Sequence, residues 1–147
     1  MGLDMYLTAK RYIWRHREEE VLDSISNLHL VKPIYRPKQI EYEAAYWRKA
    51  NQIHGWFVRN VQNGKDDCSE YGVGLHQLQE LLAVCKKVMI ERDLAPELLP
   101  TGEGFFFGGT DYDDGYFRDI EYTIDTLREI MADDDAKHLD FYYQSSW

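Results

Sequence analysis

At 147 residues and a net charge of −9, with 44% hydrophobic and 14% aromatic side chains, the chain can build its own core and is too rich in core formers to be disordered. Its only cysteines, Cys68 and Cys85, form no C-x-x-C or Cys/His array, which excludes a zinc-finger pattern and a disulfide framework and points to a reducing cytoplasm. No apolar run nears the roughly 20 residues that cross a bilayer, and the N-terminus lacks a basic-then-apolar leader, so no membrane association is expected.

Leu3, Met5, Leu7, Ala9 and Ile13 alternate with Asp4, Tyr6, Thr8, Lys10, Tyr12 and Trp14, the period-2 pattern of a strand with one buried face. Residues 15–38 read as an irregular excursion of mixed charge, with a short helix near Glu18 to Ser26 and interruptions at Pro33 and Pro37, followed by a short strand around Gln39 to Tyr42. From Ala44 to Gln62 the spacing predicts a helix, because Tyr46, Trp47, Ala50, Ile53, His54, Phe57, Val58 and Val61 fall on one arc opposite Arg48, Gln52, Gly55 and Arg59. Asn63-Gly64 supplies its stop.

A second helix is expected from about Gly74 to Arg92 with the stripe Leu75, Leu78, Leu81, Leu82, Cys85, Val88 and Met89, which puts Cys85 in the core as a small hydrophobe. Pro96 and Pro100 enclose a break, and Gly104 to Gly109 reads as a short strand or an aromatic loop bounded by glycines. A third helix runs from near Asp113 to Ala132, with Tyr116, Phe117, Ile120, Thr123, Ile124, Leu127, Ile130 and Met131 inward and nearby acids capping its start. Leu139 to Trp147 alternates again. The expected architecture is therefore α+β: three amphipathic helices packed on a small antiparallel sheet that includes the N- and C-terminal strands, in one domain over residues 1–147.

Beside this reading stands a resemblance. The segments Gly2-Leu3-Asp4-Met5-Tyr6-Leu7, Tyr46-Trp47-Arg48-Lys49-Ala50-Asn51 through His54, Trp56 and Phe57, then Asp67-Cys68, Gly104-Phe105-Phe106-Phe107-Gly108 and Ser145-Ser146-Trp147 resemble a family of small bacteriophage and prophage proteins. No activity is attached to that family, so the resemblance assigns no catalytic residue. It implies an accessory protein of the kind that binds a host or defence protein through a surface.

The richest local chemistry is Trp47, Arg48, Asn51 and His54, which on one helix would present an indole, a guanidinium, an amide and an imidazole to a small anion or nucleotide, with residues 105–107 beside them. The competing reading makes His54 a hydrogen-bonded core residue on the apolar arc. Cys68 would be a nucleophile only if His54 and Asp67 converged on it, and the adjacent carboxylates disfavour a thiolate. Asp111, Asp113 and Asp114 depart from a calcium loop at Gly115 and Tyr122 and suit helix capping better, and Asp133 to Asp135 with His138 reads as a solvated helix end. Gly104, Gly108 and Gly109 match no phosphate loop. No metal and no cofactor is expected.

Charge is distributed unevenly. Residues 1–96 carry 14 basic and 13 acidic side chains, whereas residues 97–147 carry Arg118, Arg128 and Lys137 against 13 acids. Such a field repels phosphate backbones and attracts basic protein surfaces, so nucleic acid is an unlikely partner despite a small basic group at Arg11, Arg15, Arg17, Lys32, Arg36 and Lys38. The expected function is a non-enzymatic one, with Asp111, Asp113, Asp114 and Asp119 as the partner-binding residues.

Overall fold

The computed structural model describes residues 2–26, 35–104 and 107–147. The N-terminal alternation becomes β1 (Asp4–Tyr12), and Leu3, Met5, Leu7, Ala9 and Ile13 are all buried on its one side. Each larger side chain so withdrawn from water contributes about 1.5–3 kcal/mol, which fixes the register: a one-residue slip would turn the whole set outward. The C-terminal alternation becomes β4 (Asp140–Ser146), antiparallel to β1 with Leu7 opposite Tyr143. With β2 (Gln39–Arg48) and β3 (Tyr71–Val73) the strands form one antiparallel sheet in the order β2-β1-β4-β3. The expected terminal pair thus forms its centre.

Five α-helices, not three, accompany this sheet among the described residues: α1 (Glu18–Ser26), α2 (Asn51–Asn60), α3 (Leu75–Ile90), α4 (Ala95–Leu98) and α5 (Asp114–Ala132). Of these, α1 occupies the excursion where a short helix was expected, and three glutamates open it, complementing its N-terminal dipole. The extra α4 is a single turn in the proline-bounded break; Pro96 in its first turn lacks only an N–H that would have no partner inside the helix. Both α3 and α5 bury the stripes read from the sequence, with Leu78, Leu81, Cys85, Ile120 and Leu127 wholly enclosed in a cluster that also takes in Phe57, Met5 and Tyr143. At the start of α5 the Asp113 carboxylate accepts the Tyr116 N–H at 3.0 Å, the expected cap.

The helix expected over residues 44–62 is corrected. Residues 44–48 belong to β2, and α2 holds only the second half. Pairing with β1 gives residues 45–48 a ladder, and puts Trp47 opposite Met5 and Ala45 opposite Leu7 on the buried face. The helical periodicity is a coincidence: exposed Tyr46 and buried Trp47, at the end of the strand, fall in phase with the buried arc of the helix that follows. The register jumps at Leu7/Thr8, leaving Ala44 as an extra residue in β2. Below this bulge Tyr42 pairs with inward Ala9, and Glu43 and Glu41 pair with outward Thr8 and Lys10. The bulge thereby keeps two carboxylates out of the apolar side.

Two tight backbone positions close the elements. Lys49 takes φ 59°, turning the chain from β2 into α2. After α2, Asn63 (φ 52°) and Gly64 (φ 77°) form the stop foreseen there, and Gly64 N–H donates to the Val58 carbonyl at 2.8 Å.

Candidate functional site

The corner between β2 and α2 disperses the four residues that a single helix would have gathered. Trp47, on the strand, turns its indole N–H to Thr123 Oγ1 of α5 at 2.9 Å and lies edge-on to Tyr122. Arg48 faces outward at the end of the strand. Asn51 opens α2 and is buried; its amide nitrogen donates to the carbonyls of Phe107 (3.0 Å) and Gly109 (2.9 Å), and its oxygen accepts the Gly102 N–H (2.9 Å). Three of its four hydrogen-bonding positions are thus spent on fixing the segment around residues 102–109. Of the aromatic segment at 105–107, Phe105 and Phe106 lie outside the described residues; Phe107 is half-buried with its ring edge-on to His54 at 5.3 Å.

His54 is 2% exposed and sits between two partners. Its Nδ1 meets the Tyr143 hydroxyl at 2.8 Å and its Nε2 meets Asp66 Oδ2 at 3.0 Å, while the Trp147 indole N–H donates to the other Asp66 oxygen at 3.0 Å. Burial pushes the Tyr143 phenol well above its ordinary range, so the hydroxyl keeps its proton. A carboxylate can only accept, so a neutral ring that donates from Nε2 to Asp66 takes the Tyr143 hydroxyl hydrogen at Nδ1. This Tyr–His–Asp line resembles a proton relay in outline. The Tyr143 side chain is nevertheless wholly enclosed, with its ring stacked on Phe57 at 3.9 Å, so the line ties β4, α2 and the following loop together and reaches the surface at half-buried Asp66.

His54 therefore engages Asp66 and not Cys68. Cys68 adopts φ 58°, its carbonyl accepts the Gln144 amide, and neighbouring Asp67 is held below the ordinary carboxylate range by the Ser69 backbone N–H and the Tyr71 hydroxyl. Cys85 lies in the core as expected, and burial pushes its thiol up to about 12.

A cleft of about 270 Å³ opens where α2 and α5 begin, with Arg48, Lys49, Asn51 and Arg118 on its wall and Gly108 and Gly109 at its edge. Gly108 has φ 92°, and a Cβ there would press on Lys49 within 3.2 Å, so the residue suits this close approach. Arg48 and Asn51 thus share a surface, whereas Trp47 and His54 face elsewhere. Lys49 and Arg118, which complete the cationic set, carried no sequence signal, because only folding brings them beside Arg48. Asp111, Asp113 and Asp119 line the same cleft.

Of the four acids named as partner-binding, Asp111, Asp113 and Asp114 are exposed, and Asp119 is half-buried with the Gln52 amide at 3.4 Å. Burial raises the Asp119 carboxyl. The remaining acids of α5, Glu121, Asp125 and Glu129, all point outward, and Asp133, Asp134 and Asp135 extend the band beyond its end. Among the described residues no group of three or more His, Cys, Asp or Glu is set to hold a metal ion, and no helix is long and apolar enough to cross a membrane. No protein-family model, no curated protein and no solved structure matches the chain.

Proposed function

We propose that the chain is an accessory protein of phage or prophage origin that binds a basic surface of a host or defence protein through its acidic third. The observation that carries this reading is the display of carboxylates along α5: Asp114, Glu121, Asp125 and Glu129 stand exposed on the side away from the core, and Asp133 to Asp135 continue the line. Only Arg118 and Arg128 interrupt it on the helix, and Arg128 already leans toward Asp125 at 4.0 Å. Uncompensated charge of one sign raises the encounter rate with an oppositely charged surface and rejects phosphate-rich partners. The resemblance to phage proteins agrees with a role exerted by binding. Affinity capture from bacterial lysate at low and high salt tests it. Recovery of a discrete partner should fall at high salt and with E121K/D125K/E129K; recovery unchanged by both would overturn the reading.

A second reading is a pocket for a small anion or nucleotide. It is favoured by the gathering of Arg48, Lys49 and Arg118 on one cleft, none of them in an ion pair among the described residues. Three carboxylates on the same wall weaken its pull on anions. A thermal-shift series with inorganic phosphate and ATP decides: stabilisation that disappears in R48A supports the pocket, and no shift with either removes it.

A further inference from the structure

We propose that the hollow at the open end of the sheet seats a partner segment that carries an apolar anchor flanked by lysine or arginine. The proposal rests on the acidic-surface reading and names what the basic partner inserts. Among the described residues the layer formed by α5 stops before the sheet does: α5 ends at Ala132, whereas β1 continues to Tyr12 and β2 reaches back to Gln39. Small residues floor the part that α5 leaves. Ala9 and the bulged Ala44 stand where Met5 and Leu7, further along, meet the core, and the space above them is a hollow of about 330 Å³ walled by Ile130, Leu139 and Phe141.

The hollow continues past Tyr42 and Arg11 into a second one of about 200 Å³ beside Ile13, Ile40 and Val21. Around that junction the chain leaves large aromatics in water: Trp14 is 63% exposed, Tyr12 56% and Tyr42 48%, with the Tyr12 and Trp14 rings edge to face at 5.1 Å. Tryptophan and tyrosine are the residue types that dominate binding energy when a partner covers them, and apolar hollows rimmed by polar groups mark contact sites.

Charge selects the occupant. Asp133 and Asp135 stand at the mouth, Asp134 lies between them in sequence, and the outward carboxylates of α5 lead up to them. On the far side Arg17 is taken by Glu20 at 3.1 Å, which leaves Arg11 as the cation of the hollow facing two carboxylates. An acidic or phosphorylated segment would meet those carboxylates, and a second copy of this chain would bring a charge of −9 against them. A basic-flanked apolar segment meets neither penalty.

The test uses a rhodamine-labelled peptide, Lys-Lys-Leu-Trp-Leu-Lys-Lys, against two controls, one with glutamates for the lysines and one with alanines for Leu-Trp-Leu. Anisotropy should show the basic apolar peptide binding at least about ten-fold tighter than either control, with amide shifts centred on Ala9, Ala44 and Phe141. A44M, which fills the floor, and D135K, which inverts an exposed rim charge, should each weaken it several-fold; D135K keeps the test valid if A44M folds poorly. Equal binding of all three peptides, no binding, or shifts confined to the outer face of α5 would overturn the proposal. If E121K/D125K/E129K abolishes capture from lysate while A44M and D135K do not, the groove falls and the acidic face stands. If A44M and D135K abolish peptide binding while the α5 variant leaves capture intact, the acidic face falls alone.

Discussion

Two ends of the sheet treat their demanding side chains in opposite ways. Where α2 begins, an imidazole, two amides and a phenol are withdrawn from water, and each finds partners inside the molecule: Tyr143 and Asp66 for His54, three backbone groups for Asn51, and the Tyr116 carbonyl for Gln52. At the other end, Tyr42 stays largely in water beside a floor of alanines, and Tyr12 and Trp14 stay largely in water at the adjoining hollow. Buried polar groups bonded within the molecule specify architecture, whereas exposed apolar groups are free to meet something else. Chemistry-bearing residue types therefore mark the scaffold of this protein, and its plainer residues mark the contact surface.

The largest effect that would break this contrast lies at His54. H54A leaves the enclosed Tyr143 hydroxyl without its acceptor and opens a hole beside Phe107, so unfolding stability in urea should fall by about 3–4 kcal/mol. A loss below about 1 kcal/mol would mean that the ring is not part of the scaffold and would return it to the list of functional groups. N51A comes next, at about 2–3 kcal/mol, less because the freed carbonyls of Phe107 and Gly109 lie on a loop that water can reach. Hydrogen exchange should show the loss concentrated around residues 102–109.

How far the sequence anticipated this contrast depends on the range of the interactions involved. The faces of β1, β4, α3 and α5 were legible because each follows from spacing within one element, and Cys85 among leucines was placed by the same logic. The second half of β2 was misread, because a bulge at Ala44 shifts the alternation and Tyr46, Trp47 and Ala50 happen to fall in phase with Ile53 and Phe57; the left-handed turn at Lys49 has no compositional mark. β3, at three residues, is too short to show a period. The histidine on the apolar arc suggested a hydrogen-bonded core residue, yet its partner Tyr143 lies 89 residues away and only the β1–β4 pairing brings it near. The alanine-floored hollow was illegible for the same reason.

A smaller effect, of distinctive sign, sharpens the boundary between scaffold and surface. Burial raises the Asp119 carboxyl above its ordinary 3.8, against the opposing pull of the Gln52 amide and Arg118. The folded chain thus holds this proton to higher pH than the unfolded chain does. Between 3.8 and the raised folded value the native state binds more protons, so stability falls as pH rises through that window and stays lower above it. D119N removes the titration and keeps an oxygen for the Gln52 amide. Its stability should be flatter with pH across the window and, at neutral pH, equal to or slightly above that of the parent chain in thermal melts. A clear loss at neutral pH would show that Asp119 acts as a held anion of the cleft and belongs with Arg48 and Lys49.

The smallest expected change in stability is the one most damaging to the contrast if it fails. Trp14 keeps an edge contact with Tyr12 and gives its carbonyl to the Arg17 N–H, a backbone bond that any residue can make. Replacing so exposed an indole by serine in W14S should shift stability by no more than about 0.5 kcal/mol, because an aromatic pair in water gains little over its separated rings. Affinity for the basic apolar peptide should nevertheless drop several-fold, since the exposed indole lines the second hollow into which the groove continues. A stability loss beyond about 1.5 kcal/mol would show that Trp14 holds the 3-10 turn at Arg15–Arg17 and α1 against the sheet, making this end scaffold as well. The two ends would then differ in polarity alone, and exposed aromatics would no longer point to a partner.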